Sequence, residues 1–113
     1  MEKYENGFIE KVAMELISSA GMARSLAMDS IRFARKGEFE KAQELLKQSD
    51  KAILEGHNVH TELLTAEANQ KNIEFTVLLV HSLEHLMNAM TVRELAEEFV
   101  NIYENGNGQN PIE

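Results

Sequence analysis

The 113-residue sequence has no cysteine, no tryptophan and a single proline, Pro111, close to its C-terminus. Without cysteine, the chain cannot form disulfides, use a thiolate nucleophile or build a zinc-finger site. Because proline interrupts helices, its near absence is typical of an all-α protein when the hydrophobic periodicity agrees. No apolar run reaches the ~20 residues of a membrane span. Residues 1–5 are polar and acidic, unlike a signal peptide, so we expect a cytoplasmic protein without membrane insertion.

Basic residues are also few, with 11 Lys and Arg against 19 Asp and Glu and a formal net charge of −8. Because phosphate binding requires clustered cations, we expect no nucleic acid partner. A protein partner with a basic or apolar face fits this charge better. The length is that of one domain. We assign that domain to residues 1–104, and the turn composition of residues 105–113 predicts a flexible tail.

Apolar residues recur at helical spacing in three segments, which predicts helices over approximately residues 5–35, 39–69 and 75–104. The sequence Lys36-Gly37-Glu38 is typical of a helix end followed by a new helix start. Helices of about 30 residues joined by short connectors favour an all-α fold, a three-helix up-down-up antiparallel bundle.

The third predicted helix is apolar around most of its circumference. The residues responsible are Val77, Leu78, Leu79, Val80, Leu83, Leu86, Met87 and Met90. A helix that is apolar nearly all round is expected to be buried nearly all round, yet a three-helix monomer exposes one side of every helix. Self-association through the third helix resolves this conflict, and we predict a homo-oligomer.

A polar stripe interrupts this apolar helix, because His81, Glu84, His85 and Asn88 share one side at the spacing i, i+3, i+4 and i+7. Polar groups on a buried helix cost free energy unless they are paired. A neutral imidazole can attack phosphorus and hold a phosphoryl group on one ring nitrogen if the other nitrogen is held in place. We hypothesise that the Val77 carbonyl, four residues back, accepts that second N–H. The alternative is a structural histidine satisfied by a neighbour in the core.

The same stripe suggests two metal sites. The segment His81-Ser82-Leu83-Glu84-His85 matches the H-x-x-E-H spacing of inverted zinc-peptidase motifs, in which both histidines bind zinc and the glutamate activates water. That site needs a third protein ligand and a substrate cleft. Alternatively, Glu84 lies at the symmetry axis of an oligomer, where three carboxylates repel by roughly 3 kcal/mol per pair at ~5 Å. A hard cation such as Mg²⁺ would offset that repulsion.

Two further features belong to the first and second helices. His57 and His60 lie at i and i+3, and we interpret them as residues at the edge of the bundle. The first helix contains a group of small residues: Ser18, Ser19, Ala20, Gly21 and Ala23. Glycine inside a helix costs close to 1 kcal/mol relative to alanine. We therefore predict a close helix approach at Gly21, with room beside His81.

Four segments, in matching order and spacing, carry a resemblance to a known family over residues 9–104. They are Gly21-Met22-Ala23-Arg24-Ser25-Leu26, Lys36-Gly37-Glu38-Phe39 with Ala42, His57-Asn58-Val59-His60-Thr61-Glu62-Leu63, and Leu79-Val80-His81-Ser82-Leu83-Glu84-His85-Leu86-Met87. In these segments the chain resembles the enzyme IIA component of the lactose/cellobiose (chitobiose) class of the bacterial sugar phosphotransferase system.

The resemblance implies a homotrimer of three-helix bundles, that is, a nine-helix bundle. It implies that His81 is the phosphorylated histidine, which receives a phosphoryl group from the phosphohistidine of HPr. His81 would donate that group to a cysteine of the sugar-specific enzyme IIB, in series with the membrane permease IIC. Glu84 falls where the family carries an Asp that meets its symmetry mates and a metal, here Mg²⁺, at the trimer axis. His85 and Asn88 are candidates to orient the transferred group, and no organic cofactor is implied.

Several positions depart from the family pattern, whose active segment usually reads His-Ala-Gln-Asp-His-Leu-Met-Thr. Leu83 replaces the Gln, Glu84 replaces the Asp, Asn88 replaces the Thr, and His60 stands where a Gln is common. The loss of the Gln amide removes a polar neighbour of the active histidine. Three functions therefore stay open at this point: a phosphocarrier, a diverged trimeric regulator without phosphoryl transfer, and a small zinc hydrolase. The sugar is not encoded here, because its contacts lie in the membrane component.

Overall fold

A computed structural model describes residues 7–106 and confirms the three helices predicted from the periodicity. Helix α1 spans Phe8–Arg35, α2 spans Phe39–Ala68 and α3 spans Val77–Glu104, and no strand occurs in these residues. The helices form an elongated bundle of 56 × 26 × 20 Å in which α1 packs against both α2 and α3. Most of the predicted tail, residues 107–113, lies outside the described residues.

The helix ends differ slightly from the prediction, for reasons that are local. Helix α1 begins at Phe8 rather than near residue 5, because Gly7 adopts a left-handed conformation with φ of 80°; residues 1–6 lie outside the described part of the chain. Helix α3 begins at Val77 rather than at Phe75, because the Thr76 hydroxyl accepts a hydrogen bond from the Leu79 N–H at 3.0 Å. Such a cap satisfies one of the free N–H groups at a helix start.

The core consists of two clusters of buried side chains along the bundle. The first contains Leu16, Leu79 and Leu86, and the second contains Leu46, Ala96 and Val100. Alanines dominate the buried face of α1, which allows the other two helices to approach its backbone closely. These contacts determine which face of α3 points inward and therefore which side chains it presents outward.

Helices α2 and α3 approach each other closely at Gly56 on α2. A Cβ atom built there would lie 2.8 Å from Cδ1 of Leu86, closer than real Cβ atoms come to other heavy atoms. The prediction of such an approach at Gly21 is wrong, since a Cβ atom at that position meets nothing within 4 Å. Gly21 lies on the outward face of α1, whereas Ala20 and Ala23 beside it are buried.

Arg93, in the C-terminal half of α3, joins α2 to α3. Its guanidinium bonds Asp50 on α2 at 2.9 Å and also bonds Glu97 on α3. Its Nε lies 2.7 Å from the other Asp50 oxygen as an ion-pair contact, without the geometry of a hydrogen bond. Although burial lowers the pKa of Arg93, the two carboxylates outweigh this effect and raise that pKa above its usual value. Arg93 is thus held charged in a half-buried site.

Candidate functional site

The polar stripe predicted from the sequence lies along the outer side of α3. His81, Glu84 and Asn88 are exposed and His85 is half-buried. The inner face of the same segment is buried and consists of Leu79, Ser82, Leu86 and Ala89. Burial of that inner face, together with the Thr76 cap that begins the helix, orients the stripe toward solvent.

His81 and His85 form a hydrogen-bonded pair at the N-terminal end of the stripe. Their Nε2 atoms are 3.0 Å apart, and their rings meet edge to face with centroids 4.5 Å apart. One ring must donate its N–H while the other accepts on a lone pair, so the two nitrogens share one proton. The predicted bond from His81 to the Val77 carbonyl is wrong. The His81 side chain turns instead toward His85, one helical turn further along α3.

Ser82, between these residues in sequence, takes no part in the site. It is fully buried, and its hydroxyl donates to the Leu79 carbonyl at 2.6 Å. Glu84 and Asn88 form no hydrogen bond within residues 7–106, so their side chains are free to bind a group from outside the subunit. The stripe therefore offers two imidazoles, one carboxylate and one amide to a ligand or a partner.

The zinc alternative lacks the ligand that it requires. Two histidines one turn apart can supply two zinc ligands, but a catalytic site needs a third from the protein. Within residues 7–106, no group of three or more His, Asp or Glu side chains is placed to hold a metal ion. A metal at Glu84 would consequently have to draw its other ligands from further copies of the chain or from water.

A small pocket near the connector between α2 and α3 was not predicted from the sequence. Its volume is about 90 Å³, and its walls include His60, Leu79 and Leu83. Phe75, which is also part of its wall, is largely exposed. Two of the positions that depart from the family pattern, His60 and Leu83, thus share one pocket. In the sequence, this pocket was indicated only by an aromatic residue close to the predicted connector and by those two departures.

The excess apolar surface predicted for the third helix is present in the structure. Twelve large apolar side chains are exposed in the described part of the chain, and seven of them lie on α3. These seven are Val77, Val80, Met87, Met90, Leu95, Phe99 and Ile102. Val77 is 88% exposed and Met87 is 64% exposed, values that are unusual for apolar side chains of a small protein. Such a surface marks an interaction site.

None of the three helices combines the length and the apolar content needed to cross a membrane, as far as residues 7–106 are concerned. The apolar surface of α3 is interrupted by charged and polar side chains at every turn, for example Glu84, Asn88 and Glu98.

Comparison with known proteins assigns the chain to a family. The sequence model of the lactose/cellobiose-specific IIA subunit of the PTS system matches residues 11–104. The lichenan-specific phosphotransferase enzyme IIA component of Bacillus subtilis is 37% identical over 99 residues, which are 88% of this chain and 90% of that protein. The N,N'-diacetylchitobiose-specific EIIA component of Escherichia coli is 38% identical over 96 residues, 85% of this chain and 83% of that protein.

Solved structures agree with the sequence comparison. The PTS cellobiose-specific enzyme IIA from Bacillus anthracis superimposes with a TM-score of 0.87 at 39% identity, covering 94% of this chain and 97% of that chain. The IIA(chitobiose) chain in its complex with HPr, from the Escherichia coli phosphotransferase system, gives a TM-score of 0.75 at 37% identity, covering 86% and 94%. With its three helices, its His81–His85 pair and these matches over most of its length, the chain belongs to the lactose/cellobiose-specific IIA subunits of the phosphotransferase system.

Proposed function

We propose that this chain is the phosphocarrier of a lactose/cellobiose-type phosphotransferase system, and that His81 carries the phosphoryl group. The observation that supports this role best is the exposed His81 ring, whose Nε2 is held by Nε2 of His85 at 3.0 Å. Related IIA proteins belong to phosphotransferase systems specific for lichenan, chitobiose and cellobiose. The relatives differ in the sugar of their systems, and the identity of the sugar for this chain is set by the membrane component.

The chemical step follows from the pairing of the two rings. In the tautomer where His85 donates its Nε2–H, the Nε2 lone pair of His81 accepts that hydrogen bond, and Nδ1 of His81 carries the proton. When the donor protein docks, a rotation of the His81 ring breaks this hydrogen bond and frees the lone pair. Nε2 of His81 then attacks the phosphorus of a phosphohistidine on the donor protein; the new N–P bond forms as the old one breaks, and the donor imidazole leaves with the electron pair. Transfer of this kind requires little covalent work from the protein beyond positioning and charge stabilisation.

His85 then stabilises the phosphorylated form of His81. Once a phosphoryl group occupies Nε2 of His81, the Nε2–H of His85 is within one helical turn of the phosphoryl oxygens and can donate to one of them. Asn88, one turn further along the exposed stripe, offers an amide N–H to the same group. These donors would replace the water that otherwise stabilises the phosphoryl charge.

Replacement of His85 should slow the transfer without abolishing it. A hydrogen bond of ordinary strength contributes about 0.5–1.5 kcal/mol, so we expect His85→Ala to reduce the rate of phosphoryl uptake about 3- to 10-fold. His85→Gln keeps an N–H donor and should retain most of the rate. Rapid-quench measurement of uptake from phospho-HPr compares the two variants. Equal rates for His85→Ala and the unmodified protein would assign His85 a structural role only.

The phosphoryl donor that we propose is HPr, and the acceptor is the cysteine of enzyme IIB. The related IIA(chitobiose) has been determined in complex with HPr, which supports HPr as the donor for this chain too. Both partners must dock and leave rapidly, so small contact areas around His81 suit the task. The phosphorylated protein would work in the cytoplasm, where it meets both partners, while the permease IIC carries the sugar across the membrane.

Incubation with phosphoenolpyruvate, enzyme I and HPr tests the proposal directly. Mass spectrometry should detect one phosphoryl group per chain, stable to base and labile to acid as expected for phosphohistidine. If the folded protein never acquired a phosphoryl group, the phosphocarrier proposal would be wrong, and a regulator without phosphoryl transfer would be the remaining function for this fold.

We also propose that the chain assembles as a parallel homotrimer through α3. Exposed side chains recur along α3 every seven residues, in one row through His81, Asn88, Leu95 and Ile102, and such a heptad spacing is typical of helices that pack around a common axis. Leu95 is 53% exposed and Ile102 is 46% exposed in the single subunit. A threefold assembly would enclose Leu95 and Ile102 and so remove exposed apolar surface of α3 from water, while His81, at the N-terminal end of the row, would stay reachable by a partner at a seam between neighbours.

Glu84 is the residue that would hold Mg²⁺ in such an assembly. It is exposed and unpaired within residues 7–106, and one oxygen donor from each of three copies, completed by water, suits a hard divalent cation. Without the cation, the carboxylates would repel one another by roughly 3 kcal/mol per pair at ~5 Å and an effective dielectric near 20.

This proposal predicts how the assembly responds to metal removal. Sedimentation equilibrium should give three times the subunit mass of 12.8 kDa, and EDTA should weaken the trimer by at least about tenfold in its dissociation constant. Glu84→Gln removes the charges and should form a trimer that is indifferent to EDTA. An equal response of both proteins to the chelator would remove Glu84 from the metal site.

A further inference from the structure

The His81–His85 pair has the dimensions of a chelating site for a transition metal ion. Its two Nε2 atoms are 3.0 Å apart, on side chains one turn apart on α3. A bond from an imidazole nitrogen to such a metal measures about 2.0–2.1 Å, so two of these bonds at a right angle separate the nitrogens by about 2.9 Å, and two at the tetrahedral angle by about 3.4 Å. The observed separation matches the right angle, which is the angle of the tetragonal sites that Cu²⁺ and Ni²⁺ prefer.

The pair can be reached from solvent. His81 is exposed and His85 is half-buried, so an ion can approach both rings from the outer side of α3. No third His, Asp or Glu joins the pair in the described part of the chain, and water would fill the other positions around the ion. Both rings project from one rigid helix. Once the first nitrogen binds, the second is already close, so the second bond forms at a high effective concentration.

The other two histidines lack this arrangement, and all four histidines of the chain lie in the residues that the structure describes. His57 and His60 are three residues apart on α2, and neither a hydrogen bond nor a ring contact joins them. His60 lines the small pocket beside Leu83 instead. The fold thus brings two imidazole nitrogens within chelating distance at His81 and His85 alone among its histidines.

We propose that the His81–His85 pair binds one Cu²⁺ ion per chain through Nε2 of both rings, and that this binding excludes the phosphoryl group from His81. Two nitrogen–metal bonds replace the hydrogen bond between the rings. The proton on Nε2 of His85 moves to Nδ1 of the same ring by exchange with water, so both rings stay neutral and each Nε2 directs a lone pair at the ion. Cu²⁺ is the tightest-binding divalent ion of the first transition row at nitrogen ligands.

Copper and the phosphoryl group compete because both require the same lone pair. Nε2 of His81 can bond to the metal or to phosphorus, but not to both. Copper would therefore inhibit the phosphoryl relay at its histidine, and the phosphorylated protein would lose its chelating site. This consequence rests on the function proposed above, whereas the metal site itself rests on the geometry of the pair.

Isothermal titration of the full chain with CuCl₂, without a histidine tag and in a non-coordinating buffer, tests the site. One ion per chain should bind, and electron paramagnetic resonance should show coupling to two imidazole nitrogens. His81→Ala and His85→Ala should each weaken the binding at least about tenfold, whereas His57→Ala should bind as tightly as the unmodified protein. Excess Mg²⁺, which prefers oxygen ligands, should leave the affinity for copper unchanged. Unweakened binding by either His81→Ala or His85→Ala would overturn the site.

A matched variant separates the effect of the pair from the number of histidines. His85→Ala/Arg24→His keeps four histidines but moves one to the exposed face of α1, where no His, Asp or Glu lies three or four residues away. It should bind copper as weakly as His85→Ala, with circular dichroism verifying that each variant keeps its helices. If it bound as tightly as the unmodified protein, the affinity would not come from the paired rings, and the proposal would be wrong.

Titration of the isolated phosphorylated protein tests the competition. Its affinity for Cu²⁺ should be at least about tenfold lower than that of the unphosphorylated protein, because one of the two nitrogens is occupied. Equal affinities would show that the metal does not use Nε2 of His81 and would overturn the exclusion. Should the protein never accept a phosphoryl group, the relay would be wrong, while the titrations of the histidine variants would still decide the metal site.

Discussion

His81→Ala is expected to abolish phosphoryl uptake from phospho-HPr while leaving helix content and thermal unfolding unchanged. His81 is exposed, and its side chain makes its hydrogen bond only to His85, so its removal leaves the core intact. In the proposed mechanism the imidazole itself is the phosphoryl acceptor, so its removal takes away the attacking nitrogen. Mass spectrometry after incubation with phosphoenolpyruvate, enzyme I and HPr measures the loss.

Matched controls make this experiment specific. His57 is exposed on α2, a different helix from that of the paired imidazoles, so His57→Ala should be phosphorylated as completely as the unmodified protein. His85 could accept the phosphoryl group in place of His81. The double variant His81→Ala/His85→Ala therefore shows whether any phosphoryl signal that remains in His81→Ala comes from His85. A phosphoryl group retained by His81→Ala would transfer the acceptor role to another histidine and end the assignment.

Gly56→Val is expected to lower the free energy of unfolding by about 3 kcal/mol, the upper part of the range for overpacked cores. A Cβ atom at this position would lie 2.8 Å from Cδ1 of Leu86 and 3.7 Å from Cδ2 of Leu16. Leu86 is 1% exposed and Leu16 is fully buried, so neither side chain has free space to enter. Valine adds two further methyl groups, and relief requires α2 and α3 to separate.

The control for this change is Gly21→Val on α1. A Cβ atom at Gly21 meets nothing within 4 Å in the subunit, and both glycines lie inside helices. Since valine has a slightly higher helix propensity than glycine, Gly21→Val should change the free energy of unfolding by no more than about 0.5 kcal/mol. Urea unfolding followed by circular dichroism compares the two. Equal losses at both positions would mean that helix contact at Gly56 is not the cause.

The pocket shared by His60 and Leu83 gives the two departures from the family pattern a common location. Leu83 is half-buried there with Leu79, so a leucine side chain at this position packs against α2 instead of offering an amide to a phosphoryl group. In the proposed mechanism, His85 and Asn88 would therefore supply the hydrogen bonds that the usual Gln would otherwise make. This makes the effect of His85→Ala larger here than in a relative that keeps the Gln.

Local spacing predicted most of the helices and the location of the site. Apolar periodicity and Gly37 predicted the boundary between α1 and α2. A glycine with positive φ ends a helix through its local conformation, which does not depend on tertiary packing. The four-residue separation of His81 and His85 predicted that their rings lie on one side of α3. The excess of apolar residues on that helix predicted its exposed surface, since one three-helix subunit cannot cover it.

Packing between distant segments decided the rest. Gly21 and Gly56 look alike in the sequence, and only the docking of α2 against α3 shows that the second lies against Leu86 while the first faces outward. The His81 ring could have turned toward the Val77 carbonyl or toward His85, and in the folded helix its rotamer points toward His85. The sequence by itself therefore determined which residues share a helix face, because that depends on helical geometry alone. The tertiary structure decided which faces meet, because that depends on how side chains far apart in the chain fit together.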